Sequence, residues 1–322
     1  MKKFWKKLPK PFFCLAPMAD VTDAAFRRVI AKYGKPDVMW TEFVSADGLS
    51  SPGREVLKNN LIFSKKEKPI IAQLFSSHPI KMRQAAKYVA SLGFDGIDIN
   101  MGCPDRSIEK QGAGAAMMKD MKKAGEIIQA VKDGIKDSKK KNVSISVKTR
   151  IGYNKNQISE WIPFLLSQDI DTLTIHARTR KEMSLVPARW EHVKETVEIR
   201  NKMGVKTKII GNGDVRDMEH GRQLAKETCC DGIMVGRGIF GNPWLFSGKI
   251  PTVKEKLKVM VEHTKLFDKL LGKVKNFAVM KKHYKAYVNG FDGAKELRVK
   301  LMETKSSKEV ENIVKEFLKK IK

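Results

Sequence analysis

The sequence predicts an α/β chain: a (β/α)8 barrel of the TIM type over residues 1–248, followed by a C-terminal α-helical domain over 249–322. Three observations carry this. Eight short apolar runs recur over about the first 235 residues. Amphipathic helical stretches separate most of them. After residue 246 the strand pattern stops and helical periodicity takes over.

The runs are 12–16, 38–43, 69–75, 96–100, 143–149, 172–176, 207–211 and 232–235. Several are continuous and β-branched rather than alternating, which suits parallel strands covered on both faces. The clearest helical stretches between them are 23–33, 80–92, 124–136, 158–168, 188–203 and 217–228. The connection over 44–68 reads more as loop than helix and is the weakest point of the count. In the tail, helices are expected over 253–271, 274–287, 294–304 and 307–321, the last opened by Ser306-Ser307-Lys308-Glu309.

At 322 residues the chain can bury a full-size core, and 42% hydrophobic with 31% charged residues marks it as globular. No apolar run reaches the length of a membrane span. Residues 12–16 are too short for a signal segment and have no cleavage pattern after them, so a cytoplasmic protein is expected. Cys14, Cys103, Cys229 and Cys230 form no C-x-x-C pair, which argues against a disulfide framework, a zinc site or an iron–sulfur site. Cys229-Cys230 reads as a helix end.

The formal net charge is +27. A field of that sign attracts polyanions, nucleic acid above all, although a generally lysine-rich composition would also produce it. The last 72 residues hold 19 Lys/Arg against 9 Asp/Glu, about twice the positive density of the rest. A basic helical module of this kind reads either as a substrate-holding domain or as a packing domain with solvated lysine faces.

In a barrel the C-terminal strand ends point into the active site. Here the first ends in Ala16-Pro17-Met18-Ala19-Asp20, the second at Thr41-Glu42 and the third at Gln73. The fourth ends at Asn100, followed by Met101-Gly102-Cys103-Pro104. Alone, Cys103 would read as a buried free cysteine. The fifth gives Lys148-Thr149-Arg150 and the sixth His176-Ala177-Arg178. The seventh gives Gly211-Asn212-Gly213-Asp214 and the eighth Gly236-Arg237-Gly238. Lys148 beside a parallel-sheet core demands an anionic partner.

Gly-rich turns after the last two strands form a barrel phosphate site. Gly236-Arg237-Gly238-Ile239-Phe240-Gly241 also fits G-x-G-x-x-G, but a dinucleotide fold needs a further βαβ unit, and the chain runs on into helices. A phosphate site there, Lys148 and His176 near the centre, and Pro17, Met18 and Gln73 opposite suggest FMN. A hydrogen-bonded core histidine is the plain alternative for His176.

These motifs, in order, resemble the tRNA-dihydrouridine synthase family over roughly residues 12–300. Ala16-Pro17-Met18-Ala19-Asp20-Val21-Thr22-Asp23 is similar to its opening motif. Asp98-Ile99-Asn100-Met101-Gly102-Cys103-Pro104 is similar to its catalytic motif, and Lys110-Gln111-Gly112-Ala113-Gly114-Ala115-Ala116 follows as in the family. Val147-Lys148-Thr149-Arg150, Ile175-His176-Ala177-Arg178-Thr179-Arg180, Gly211-Asn212-Gly213-Asp214 and Met234-Val235-Gly236-Arg237-Gly238 complete the series. In the tail, Lys282-His283-Tyr284 and Glu296-Leu297-Arg298 also resemble family motifs.

The resemblance implies reduction of the C5–C6 double bond of a tRNA uridine. FMN would be the cofactor and NADPH or NADH the reductant, with hydride going from flavin N5 to C6. It implies Cys103 as general acid toward C5. Pro17, Met18, Ala19, Gln73, Lys148, His176, Asn212, Gly213, Asp214, Gly236 and Arg237 would hold FMN. Glu42, Asn100, Arg150 and Arg178 would position the base, flipped out of the tRNA. The tail would recognise tRNA, and no membrane or metal is expected. Oligomeric state is not legible in the sequence, and a monomer is the default expectation. Ala177 stands where members often have Gly, and Lys181-Glu182-Met183-Ser184-Leu185 departs from the family's Gln- and Tyr-containing stretch. That departure bears on which uridine is taken. Two other readings are a small-molecule FMN barrel, which needs no basic tail, and an RNA-binding protein with an inactive barrel.

Overall fold

The computed structural model describes residues 3–320. A single-turn helix, α1 (Lys3–Lys6), precedes β1 (Phe12–Leu15), α2 (Ala24–Tyr33) and β2 (Val38–Ser45). Two more single turns, α3 (Ala46–Leu49) and α4 (Arg54–Leu57), lead to β3 (Ile70–Phe75). Then come α5 (Pro79–Ser91), β4 (Gly96–Met101), α6 (Arg106–Lys110), α7 (Met121–Asp137), β5 (Ser144–Arg150) and α8 (Ile158–Leu166). The barrel finishes with β6 (Thr172–His176), α9 (Glu191–Lys202), β7 (Lys208–Asn212), α10 (Met218–Thr228) and β8 (Gly232–Val235). Four helices follow: α11 (Val253–Leu271), α12 (Val279–Tyr287), α13 (Ala294–Glu303) and α14 (Ser307–Lys320).

The eight strands pair in chain order and β8 pairs back onto β1, so the sheet is a closed parallel barrel. All eight expected runs are strands. The connection after β2 holds short helical turns rather than a full crossover helix, as its loop-like sequence suggested. Ile321, the expected end of the last helix, lies outside the described residues.

Local chemistry sets the helix starts. Asp23, Asp120 and Asp217 each accept a backbone N–H from the first turn of α2, α7 and α10. Thr252 and Glu255 form a reciprocal capping box at the start of α11. Cys229 ends α10 in the left-handed conformation, so the cysteine pair does mark a helix end.

The floor of the barrel is closed by apolar side chains. Trp5 packs against Phe12 and Trp40, with ring centroids 5.5 and 6.3 Å away, and its indole N–H donates to Ser144 at 2.7 Å. Chemistry is therefore confined to the opposite end, where the strands finish.

α2 joins the two parts of the molecule. Phe26 and Ile30 face the main core, while Ala25 and Val29 join a second core with Leu257, Met260, Phe267, Tyr284, Leu297 and Leu301. At this junction His263 and His283 meet edge to face at 4.7 Å, both against Phe26. Both rings are fully buried, and none of their nitrogens has a hydrogen-bond partner among the described residues. No described helix is long and apolar enough to cross a membrane.

Candidate active site

At the C-terminal end of the barrel lies an open cavity of about 280 Å³. Its wall includes Pro17 and Met18 after β1, Lys148 and Arg150 of β5, and His176 and Arg178 at the end of β6. Asn212 at the end of β7, Gly213 and Asp214 just after it, and Gly236 and Arg237 after β8 complete that side. These are the expected positions of five strand ends, brought together by the closure of the sheet. Val215, Gly238 and Ser184 also line it.

The two glycine turns do different work. A Cβ on Gly236 would come no nearer than 3.8 Å to Ala16 or Met18, so this position leaves the cavity floor open. On Gly238 a Cβ would lie 2.6 Å from the Val215 carbonyl, so here glycine permits close packing of the β7 and β8 turns. Gly213 has φ +129, and an added Cβ would strike Ala188 at 2.7 Å.

Asp214 gathers the cations. One carboxylate oxygen accepts from Arg178 and from the Ala188 N–H at 2.9 Å, the other from Arg237 at 3.0 Å. Arg178 is buried and also meets His176 Nε2 at 3.1 Å. Arginine can only donate, so Nε2 is the acceptor and the imidazole proton resides on Nδ1. Burial, then the charges of Arg150, Lys148 and Arg178, hold His176 well below its ordinary value, so it is neutral.

Gln73, Asn100 and Cys103 form a second group beside Lys148. Asn100 pairs with Lys148 in the β4–β5 register. Its carbonyl oxygen accepts from the backbone N–H groups of Gly102 at 3.1 Å and Cys103 at 2.9 Å. Its amide donates to Gln73 Oε1 at 3.1 Å, and Gln73 Nε2 donates to Asp98 at 2.5 Å. Ser146 donates to the other oxygen of Asp98 at 2.5 Å. The loop carrying Cys103 is thus tied, through two amides, to a fully buried carboxyl group.

Asp98 is also the anion that Lys148 demanded. Burial, and next the Arg150 charge, lower Lys148 to about 8, while Asp98 pulls the other way. Burial raises Asp98 to about 6 against the pull of its hydrogen bonds and Lys148. A carboxyl inside the apolar run of β4 was the signal that could have marked it. Burial raises the Cys103 thiol, so it is S–H at neutral pH. Arg150 fixes the same loop by donating to the Gly102 carbonyl at 2.8 Å, and reaches Thr179 and Met183 carbonyls as well.

Gln73, Asn100 and Cys103 adjoin the cavity through Lys148 without forming its wall, and Ala19 and Glu42 lie away from it. Glu42 is buried, and Lys275, from the connection between α11 and α12, covers it. Nothing in the sequence pointed to Lys275. The described residues contain no group of three His, Cys, Asp or Glu side chains placed to hold a metal ion.

Barrel closure with a thiol, two amides and converging cations at the strand ends defines the active-site end of a (β/α)8-barrel enzyme. Comparison with known proteins narrows this. The dihydrouridine synthase model matches residues 14–322, and the chain belongs to that family. A probable tRNA-dihydrouridine synthase of Staphylococcus aureus strain MRSA252 is 40% identical, covering 98% of this chain and 96% of the relative. Probable tRNA-dihydrouridine synthase 2 of Bacillus subtilis strain 168 is also 40% identical, over 99% and 98%. Among solved structures, histamine dehydrogenase from Rhizobium sp. 4-9 shares the fold with a TM-score of 0.52 at 13% identity. That match covers 79% of this chain and 48% of the other.

Proposed function

We propose that this chain reduces the C5–C6 double bond of uridine in tRNA, with FMN as cofactor and NADPH or NADH as reductant. The observation that carries the reading is the tie from Asp98 through Gln73 and Asn100 to the Cys103 loop, set beside a cavity walled by cations and glycine turns.

The donor set fits FMN. Gly213, Gly236 and Arg237, the last held by Asp214, offer backbone and guanidinium donors suited to a phosphate. Lys148 and Gln73 offer an ammonium and an amide suited to the polar edge of a flavin ring. Pro17, Met18 and Ala19 supply the facing loop, and His176 and Asn212 complete the holding set. Bound there and reduced by NADPH or NADH, FMN would supply the hydride that goes to C6.

The chain's own residues do the rest. Cys103, kept protonated by its surroundings, gives its proton to C5 as general acid, and solvent restores it. Asn100 holds the Cys103 backbone so that the thiol keeps one position. Arg150 and Arg178, both anchored to loop carbonyls, shape the wall that receives the flipped base. Glu42 acts on this region from beneath the opening loop. Residues 1–248 form the catalytic domain. Residues 249–322 hold tRNA through basic helices that grip phosphates and read shape. The expected setting is the cytoplasm, and the working unit a monomer.

The test is incubation of the purified protein with FMN, NADPH and tRNA lacking the modification. Dihydrouridine should form in that tRNA. Protein that retains no flavin and leaves the uridine intact would overturn the reading.

A further inference from the structure

At the barrel mouth an ionic contact ties the opening loop to the C-terminal helices. Asp20, Asp23 and Glu42 bring three carboxyl groups to one corner, below the loop whose Pro17 and Met18 line the cavity. Glu42 is only 3% exposed in its side chain. Its Oε1 accepts the Asp20 N–H at 2.6 Å. Lys275 Nζ donates to both oxygens of Glu42, at 2.8 and 3.0 Å, and to Asp20 at 3.1 Å. That ammonium comes from 233 residues further along the chain, between two helices of the C-terminal set.

A nearly buried carboxylate needs a counter-charge, and Lys275 is its cationic partner among the described residues. The same ammonium neutralises the repulsion between Asp20 and Glu42. Asp20 stands at φ +54, in the left-handed region, so its conformation depends on the contacts around it. On its other side the loop is held by Thr22, whose hydroxyl accepts the Met18 N–H at 2.9 Å. Glu42 is therefore the clamp on one side of the loop, and Lys275 holds the clamp shut.

We propose that Lys275 is a positioning residue through which the C-terminal helices set the Met18–Asp20 loop at the barrel mouth, so that seating RNA on those helices and shaping the site are coupled. The proposal rests on the functional reading above for the RNA step, but not for the loop. Lys275 touches neither cavity nor reacting atoms and acts through Glu42. Without it, the nearly buried Glu42 carboxylate loses its counter-charge and its fixed place, and the Asp20 N–H loses a fixed acceptor.

The experiment compares full-length wild type, Lys275→Met and Lys275→Arg by two readouts. The first is amide hydrogen exchange in the peptide spanning residues 17–24. Lys275→Met should speed exchange there on the order of tenfold, and Lys275→Arg should restore it. The second is single-turnover oxidation of the reduced enzyme by tRNA, with tRNA affinity measured alongside. Lys275→Met should slow oxidation on the order of tenfold while affinity stays within about twofold, and combining it with Glu42→Gln should add little. Unchanged exchange at 17–24 would overturn the proposal. So would faster exchange with normal oxidation, or a fall in affinity that accounts for the whole loss. If wild type itself leaves tRNA unreduced, the functional reading fails, and exchange alone then judges the loop.

Discussion

Two regions of this molecule bury polar side chains in opposite ways. At the barrel mouth Asp98, Gln73, Asn100 and Ser146 are joined by hydrogen bonds, with each amide oriented by its neighbour. At the junction with the C-terminal helices His263, His283 and the Tyr287 hydroxyl are just as buried, yet have no partner among the described residues. Both places lie in an apolar setting that penalises charge. The mouth accepts charge and supplies partners for it. The junction keeps its histidines neutral: burial, with His283 nearby, holds His263 well below its ordinary value, and burial lowers His283 to about 3. The mouth is thus built to orient reacting groups, and the junction uses histidine as a flat ring for packing.

The sharpest way to break this contrast is Cys103→Ala. The thiol is the one group at the mouth assigned to the reaction itself. Product formation should fall on the order of 10²–10⁴-fold, with flavin binding and flavin reduction by NADPH unchanged. Equal loss in flavin reduction would assign Cys103 a structural part.

Asp98→Ala comes next. It removes the carboxyl that both Gln73 and Ser146 bond and the anion nearest in function to Lys148. Denaturant unfolding should show a loss of about 1–3 kcal/mol for each of the two buried donors, Gln73 and Ser146, left without an acceptor. The milder Asp98→Asn tests the charge alone. Lys148 has its ammonium below about 8 and loses it as pH rises past that value. Activity should therefore decline on the alkaline side with a midpoint near 8, and Asp98→Asn should move that midpoint lower. For stability the sign is opposite. The unfolded chain keeps the lysine proton to about 10.4, so this group favours folding increasingly as pH rises from 8 toward that value.

His283→Leu should behave unlike either. Removing an unpartnered polar ring in favour of an apolar side chain of similar size should change stability by less than about 1.5 kcal/mol. The acid response should change more. Unfolded histidine takes a proton near 6.5 and His283 in the fold only near 3, so stability falls as pH drops through that window. The slope from each such histidine is about 1.4 kcal/mol per pH unit, and a melting series from pH 7 to 4 should be flatter in the variant. A stability loss at neutral pH as large as that of Asp98→Ala would mean the junction is an unrecognised polar network.

The smallest effects belong to the outer face of the C-terminal helices. Lys285 and Lys295 line a shallow basic cleft there with Arg298. Lys285→Ala and Lys295→Ala should each weaken tRNA binding and lower the slope of log affinity against log salt by about 1. An unchanged slope would move the RNA surface elsewhere.

The barrel was legible because parallel strands leave continuous apolar runs and because strand ends in such a fold converge by topology. Once the strands were placed, Lys148, His176, Asn212 and Arg237 had to share one cavity. Element ends were harder to place. The stretch expected as one helix from residue 274 begins at Val279, and the residues before it form the turn that carries Lys275. β2 runs to Ser45, two residues past its expected end, with a register shift between Trp40 and Phe43. What stayed hidden depends on distance along the chain. Glu42 was read as reaching the substrate, but its carboxylate faces Asp20 and Lys275, a contact no local pattern records. The pairing of His263 with His283 is equally invisible, because only tertiary packing brings the two rings together.

The most direct test of the central claim is position-resolved mapping of dihydrouridine in tRNA from a strain lacking this gene, restored with either wild type or Cys103→Ala. The account predicts that one or more positions lose dihydrouridine, regain it with wild type and stay unmodified with Cys103→Ala. No change at any position on deletion, or full recovery with the alanine variant, would contradict it.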